Sequence, residues 1–405
     1  MRPHLIGLAV GAAFAVVGGC TPVEEVSVGV SVRLDSATQI QIEAEHLQFL
    51  RSQLALHELW SSSALGGDQI RSVTLTDREL LVVTGTWRLY SMNRHSGIIN
   101  WVFQLRHPLA SHGVDRRLVE PVCGEELIYV LYHGDILGAI WRTTGKPRWL
   151  RKLVEFTPGS ALTANDFYAF VGALDVSRMY AIRESDQGVA WDIPAHDSIV
   201  SGPVVADPTV YFADLQGMVF GVNAATGKTS WSRRLARGTR ADLYLHGGTL
   251  YVGSLDHTCY ALDRFSGHPR WEFHGGGPIV DRPTVGGDTC YVRITDVPDR
   301  FGQPGDPALI AIDDAKGGER WRLPRGERLL FRGAKVAYVL REGGVMVAVE
   351  NETGRVLMPA PDMDGWPLQQ RFGYLLTNDM DDVLYLVTTD GFFFAMKEKN
   401  PKPYR

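Results

Sequence analysis

Four cysteines in 405 residues, none in a C-x-x-C pair, leave nothing from which to build a zinc framework or a thioredoxin-type couple. The twelve histidines stand singly, and no H-x-x-x-H spacing sets two imidazoles on one helical face. There is no G-x-S-x-G elbow, P-loop or dinucleotide fingerprint, so the common motif-borne routes to hydrolase, nucleotidase and nicotinamide chemistry are closed. Positive charge is also scarce. Forty-one basic against 46 acidic residues give a formal charge of −5, a mildly acidic surface that argues against nucleic acid as a partner. Past the N-terminus no apolar run approaches eighteen residues, so a helical membrane span is not expected there.

What is abundant is a repeat. Val219-Phe-Gly-Val-Asn-Ala-Ala-Thr-Gly-Lys-Thr-Ser-Trp231 recurs in recognisable form along most of the chain. Trp101, Trp149, Trp191, Trp231, Trp271 and Trp321 each lie nine residues after the last apolar residue of a preceding run, at Met92, Ile140, Ile182, Val222, Leu262 and Ile312. Successive tryptophans are 48, 42, 40, 40 and 50 residues apart, a period that marks a propeller or an array. Two weaker copies follow, one with Met358 in place of tryptophan and one ending at Phe393-Phe-Ala-Met396.

Each unit reads as four short β-branched or aromatic runs separated by Asp-Pro, Gln-Gly and Thr-Gly turns, an antiparallel meander. Gly97, Gly145, Gly227 and Gly267 stand in the turn before the tryptophan strand, where positive φ is needed. One meander cannot bury both faces alone, and stacking blades around an axis solves this. The expected fold is all-β: a β-propeller of eight four-stranded blades over residues 66–398, with seven blades if the last copy is only a cap. The tryptophans are expected on the outer strand of each blade, packing blade against blade.

Residues 1–19 read as a leader: a short polar start at Arg2 and His4, an apolar run from Leu5 to Val17, then Val17-Gly-Gly-Cys20. The small pair before cysteine resembles the lipobox of bacterial lipoproteins, which would make Cys20 the lipidated N-terminus; an ordinary secretory signal with an incidental cysteine is the alternative. Thr21 favours an outer-membrane anchor facing the periplasm in a Gram-negative cell. Residues 20–65 then form an arm, with a period-two strand at 26–34 and a helix from Asp35 or Ser36 to about Leu59. The last repeat lacks its fourth strand, so the arm is expected to close the ring. Either 26–34 or the stretch ending His57-Glu-Leu-Trp60 could do so, and Trp60 has the right residue type. Residues 399–405 form a tail.

Departures from the repeat are candidate binding features, because loops on a rigid scaffold carry binding. The largest is 295–307, with Asp296, Asp299, Arg300, Phe301 and Asp306; a neutral loop insertion is the commoner explanation for such a feature. The acidic turns at 362–364 and 378–382 lack the ligand spacing of a calcium loop and read as solvated turns. Cys123, Cys259 and Cys290 fall inside predicted strands as buried thiols, a Cys259–Cys290 bridge between neighbouring blades being conceivable in an oxidising compartment.

At the residues Pro203-Val-Val-Ala-Asp207, Val210-Tyr-Phe212 and Gly221-Val-Asn-Ala-Ala-Thr-Gly-Lys-x-x-Trp231 the chain resembles the PQQ-type, or quinoprotein-like, β-propeller repeat, over roughly residues 66–398. The resemblance implies one of two branches. Quinoprotein dehydrogenases use pyrroloquinoline quinone with calcium, a catalytic aspartate and often adjacent cysteines; here no cysteines are adjacent, and neither the aspartate nor calcium ligands can be assigned. The non-enzymatic branch includes a lipoprotein of the outer-membrane β-barrel assembly machine. The reading favoured is a lipid-anchored, monomeric scaffold of the cell envelope with no catalytic, cofactor or metal site, partnered by envelope proteins. A quinoprotein oxidoreductase or cofactor sensor, and a glycan- or surface-ligand-binding propeller using the 295–307 loop, are the alternatives.

Overall fold

The computed structural model describes residues 56–65, 67–105, 118–132, 134–295, 307–333, 335–342, 345–357, 372–376 and 383–398. These contain strands and no helix. Seven sheets have four strands and one has three. In seven of the eight, strands follow one another in chain order from the axis outward, as in blade one: Ile70–Leu75, Glu79–Thr84, Arg88–Asn93 and Ile99–Gln104.

Burial follows position in the blade. The second strand is covered on both faces by neighbouring blades, so Leu127–Tyr132 and Val383–Thr388 are buried at every residue. The fourth strand has solvent along its outer edge, so Thr229–Arg234 and Pro269–His274 bury no more than alternate residues. Near-continuous apolar runs in the middle of each repeat and mixed runs at its end are the sequence form of that gradient.

The eighth sheet breaks chain order and closes the ring. Leu56–Ser62 pairs antiparallel with Phe393–Glu398, taking the fourth-strand place beside Val383–Thr388 and Phe372–Leu376. The expectation that the Trp60 stretch would close the ring is met. The predicted helix to Leu59 is wrong over its last residues: Leu56–Leu59 are strand, because pairing with the open edge of the last blade outweighs the helical preference of a Glu-, Gln- and Leu-rich segment. The rest of that helix, and the 26–34 strand, lie outside the described residues, as do Cys20 and Thr21.

Blade seven shows three strands, Gly326–Arg332, Val336–Arg341 and Val345–Glu350, and its fourth position is represented by an isolated bridge, Val349 to Val356. Met358, where the tryptophan of that repeat would stand, lies outside the described residues.

Candidate functional site

Most of the predicted site residues belong to one device, which holds the blades together. Every tryptophan of the repeat faces a small residue across the hairpin: Ser91 opposite Trp101, Ala139 opposite Trp149, Ala181 opposite Trp191, Gly221 opposite Trp231, Ala261 opposite Trp271 and Ala311 opposite Trp321. Trp60 faces Ala395 in the same way. A register shift accompanies each of these pairs. At Gly221 the reason for smallness is direct, since a Cβ there would come 2.5 Å from the Trp231 ring.

The indole then reaches the next blade. Its Nε1 donates to a backbone carbonyl three residues before the turn glycine: Trp60 to Arg94 (2.9 Å), Trp101 to Arg142 (2.8 Å), Trp191 to Ala224 (2.9 Å), Trp231 to Arg264 (2.9 Å), Trp271 to Asp314 (2.7 Å) and Trp321 to Asn351 (2.8 Å). The ring lies on the glycine itself. At Gly145, φ is 66° and a Cβ would sit 2.4 Å from Trp101. Gly97, Gly227 and Gly267 repeat this arrangement under Trp60, Trp191 and Trp231, and Gly317 and Gly354 extend it to two turns not singled out from the sequence. The glycine thus serves two needs, left-handed backbone and an indole in van der Waals contact, of which the sequence exposes only the first.

One seam departs from the rule. The turn facing Trp149 carries Gln187 at φ 58° in place of glycine, and the Trp149 Nε1, though buried, finds no hydrogen-bond partner. Blades two and three therefore lack the indole bond and are joined by packing, by the Arg148–Glu184 ion pair (2.8 Å) and by the hydrogen bond from Arg151 to the Gln187 carbonyl.

A second tie crosses the seam between blades one and two. The Arg142 guanidinium, buried to 4%, donates through Nε to Glu79 (2.6 Å), through Nη1 to the Gly124 carbonyl (3.0 Å) and through Nη2 to Asp77. Nothing in the sequence signals this pairing, because its partners lie 63 and 65 residues away in another blade.

On the face built from the turns between second and third strands and the linkers between blades, the same seam of blades two and three opens a cleft of about 270 Å³. Gly134 and Asp135, the linker Leu153–Pro158, and Asp175 line it. The linker is held from below: Leu153 and Phe156 are buried, and the Phe156 ring stacks on Tyr180 at 3.9 Å. Val154 is thereby held outward at 77% exposure, with Leu174 and Val176, either side of Asp175, also exposed. The cleft's carboxylates are committed: Asp135 to Lys152 (3.3 Å), Glu155 to Arg151, and Asp175 to the Thr157 hydroxyl (2.8 Å) and amide (3.1 Å). Partial burial works against the charge on Asp175, yet the bonds from Thr157 outweigh it and hold the carboxyl below its usual range. Fixed acids around protruding apolar side chains can bind a partner; they offer no base poised over a nucleophile.

Among the described residues no three His, Cys, Asp or Glu side chains converge as metal ligands. The candidate loop residues Asp296, Asp299, Arg300, Phe301 and Asp306, and the acidic turns at 362–364 and 378–382, lie outside the described residues.

An eight-bladed ring in which seven blades carry the repeat tryptophan has the form of a quinoprotein-like β-propeller. The family model described as outer membrane protein assembly factor BamB matches residues 57–166, 156–243 and 216–362, and the chain belongs to that family. It is 24% identical over 212 residues to the BamB of Yersinia pestis, covering 48% of this chain and 50% of that one. To the BamB of Salmonella typhimurium it is 34% identical over 93 residues, 20% of this chain and 24% of the other. The matches thus span half or less of those relatives' length. A serine/threonine-protein kinase, AfsK of Streptomyces griseus, is 30% identical over 221 residues, 49% of this chain and 25% of that one. Among solved structures, BamB from Moraxella catarrhalis superposes with TM-score 0.62 at 15% identity over 85% of this chain and 98% of that one. A quinohemoprotein alcohol dehydrogenase from Pseudomonas putida gives 0.58 at 13% over 86% and 78%. At these identities the structural likeness establishes the fold alone.

Proposed function

We propose that this protein is a non-catalytic interaction scaffold of the cell envelope that serves outer-membrane β-barrel protein assembly, anchored through lipidated Cys20. The observation that carries the reading is the family match, which runs from the closing Trp60 strand through blade seven, residues 57 to 362. The geometry supports it. A ring whose blades are tied by indole bonds and a buried ion pair is a stiff platform, and the cleft of blades two and three presents Val154, Leu174 and Val176 on short loops of that platform. Its test is mild cross-linking of the tagged full-length lipoprotein in intact cells, then detergent extraction and mass spectrometry. Recovery of a β-barrel insertase and its companions supports the scaffold; recovery at the level of an unrelated lipoprotein control removes it.

A second reading, a quinone-binding oxidoreductase or sensor, draws on the fold shared with the alcohol dehydrogenase. Titration of the purified protein with pyrroloquinoline quinone and calcium decides it: saturable, calcium-dependent binding with dye-linked alcohol oxidation would replace the scaffold reading.

A further inference from the structure

Two of the cysteines meet across a blade seam. Cys259 lies on the third strand of blade five, Thr258–Asp263, and Cys290 on the second strand of blade six, Thr289–Ile294. Both have zero exposure and share one core cluster with Tyr251, Ala261, Trp271, Val285, Val292 and Ile310. Their thiols are in hydrogen-bonding contact, and burial first of all, with the neighbouring sulfur second, pushes the Cys290 thiol well above its ordinary range. The seam beside them is tied at one residue of blade six, Asp314, whose carbonyl accepts from the Trp271 Nε1 (2.7 Å) and whose carboxylate accepts from the Tyr251 hydroxyl.

We propose that Cys259 and Cys290 are a disulfide site that links blade five to blade six. Cys123 is no competitor. It sits between blades one and two among Leu81, Val83 and Ile128, where burial pushes its thiol up to about 12.

The bond forms by exchange with a disulfide oxidant, either a small-molecule disulfide or a dithiol–disulfide oxidoreductase. One cysteine thiolate attacks the oxidant's S–S bond, giving a mixed disulfide and releasing one thiol. The second thiolate then attacks the protein-bound sulfur and expels the other. Two protons and two electrons pass to the oxidant, which leaves as two thiols. Neither sulfur is accessible in the closed ring, so the exchange belongs to folding, before the seam closes, and once made the bond is shielded from reductant. In the cell the oxidant is supplied by an envelope compartment, and to that extent the inference rests on the envelope reading above.

The test separates the two. The full chain is unfolded and reduced, then refolded in a reduced and oxidised glutathione buffer, denatured, alkylated and digested. The expected product is a Cys259–Cys290 cross-linked peptide pair 2 Da lighter than its reduced parts, with Cys123 alkylated. Oxidised protein should unfold about 5 °C above reduced protein, from closure of a 31-residue loop in a chain of this size. Alkyl groups on Cys259 and Cys290 in protein that has recovered its native fold in the oxidising buffer would overturn the proposal, and because wild-type chain is used no variant need fold. The same digest is then made on protein isolated from the cell envelope. The linked pair there supports the site and the location together; free thiols there, beside a linked pair in the refolded protein, would refute the envelope location and keep the site.

Discussion

Trp101 and Trp149 form a natural pair of controls for the indole bond. They are buried alike, at 8% and 9% exposure, and each faces a small residue in its own hairpin. They differ in that the Trp101 Nε1 donates to the Arg142 carbonyl at 2.8 Å while the Trp149 Nε1 has no partner. Replacing either by phenylalanine removes the pyrrole ring and leaves a similar void, a loss that cancels in the comparison. Trp101→Phe additionally forfeits a net hydrogen bond of about 1 kcal/mol and leaves a buried carbonyl unpaired, so its total excess cost is about 1–3 kcal/mol. Trp149→Phe carries none of that excess and relieves an orphaned N–H. Guanidinium chloride unfolding of the two variants, read by far-UV circular dichroism with matching m-values, should place the Trp101→Phe midpoint clearly below that of Trp149→Phe. Equal midpoints, or the reverse order, would refute the docking argument, because packing alone would then account for both residues.

Gln187→Gly should stabilise the protein by about 0.5–1 kcal/mol, since relief of left-handed backbone strain at φ 58° exceeds the entropy that glycine adds to the unfolded chain; a lower melting temperature would contradict this. Arg142→Ala should cost about 3–5 kcal/mol, because Glu79 is left buried to 6% without its cation, and a joint Arg142→Met, Glu79→Leu variant should recover much of the loss in the same unfolding assay. Trp60→Ala should open the ring at its closure, raising amide hydrogen exchange in Phe393–Glu398 well before the strands of blade four; uniform exchange across blades would argue against closure by that strand. Asp263 is held down to about 2 by the hydrogen bond from Arg270 and those from Ser266. With the folded carboxyl titrating below the unfolded one, its contribution is present above about pH 4 and lost as pH falls toward 2, so Asp263→Asn should flatten the urea midpoint across that window.

The tryptophan register makes the propeller legible in the sequence and favours eight blades over seven, because one covalent spacing repeats along the chain; it leaves 26–34 and the Trp60 stretch as alternative closing strands, and residue type alone favours Trp60. Even the missing fourth strand of the last repeat was visible as a gap, which Trp60 fills. Other features are present in the sequence but carry no signal until the blades are paired. The residue before Met92, Ile140, Ile182, Val222, Leu262 or Ile312 is serine, alanine or glycine in every copy, and that smallness is the socket for the indole. Gln187 sits in the sequence where the other turns have glycine, yet its consequence, an unpaired Trp149 Nε1, needs the neighbouring blade in place. The Arg142 network and the cleft were not legible at all. Their members come from different repeats, and a charge at a hairpin end looks the same whether it is solvated or buried against another blade. The helix ending at Leu59 fails for a related reason: local composition favours helix, and the open sheet edge that captures Leu56–Ser62 lies more than 330 residues away in sequence.

The scaffold proposed above would present the blade two and three cleft of a rigid propeller to the outer-membrane assembly machinery. Its most direct test places a photo-cross-linking amino acid at Val154 in full-length protein in living cells, with the equally exposed Phe265 on the outer turn of blade five as control. The expected result is an ultraviolet-dependent adduct with a β-barrel insertase component from Val154 and none from Phe265. An adduct from neither position, or one to a redox carrier from Val154, would contradict it.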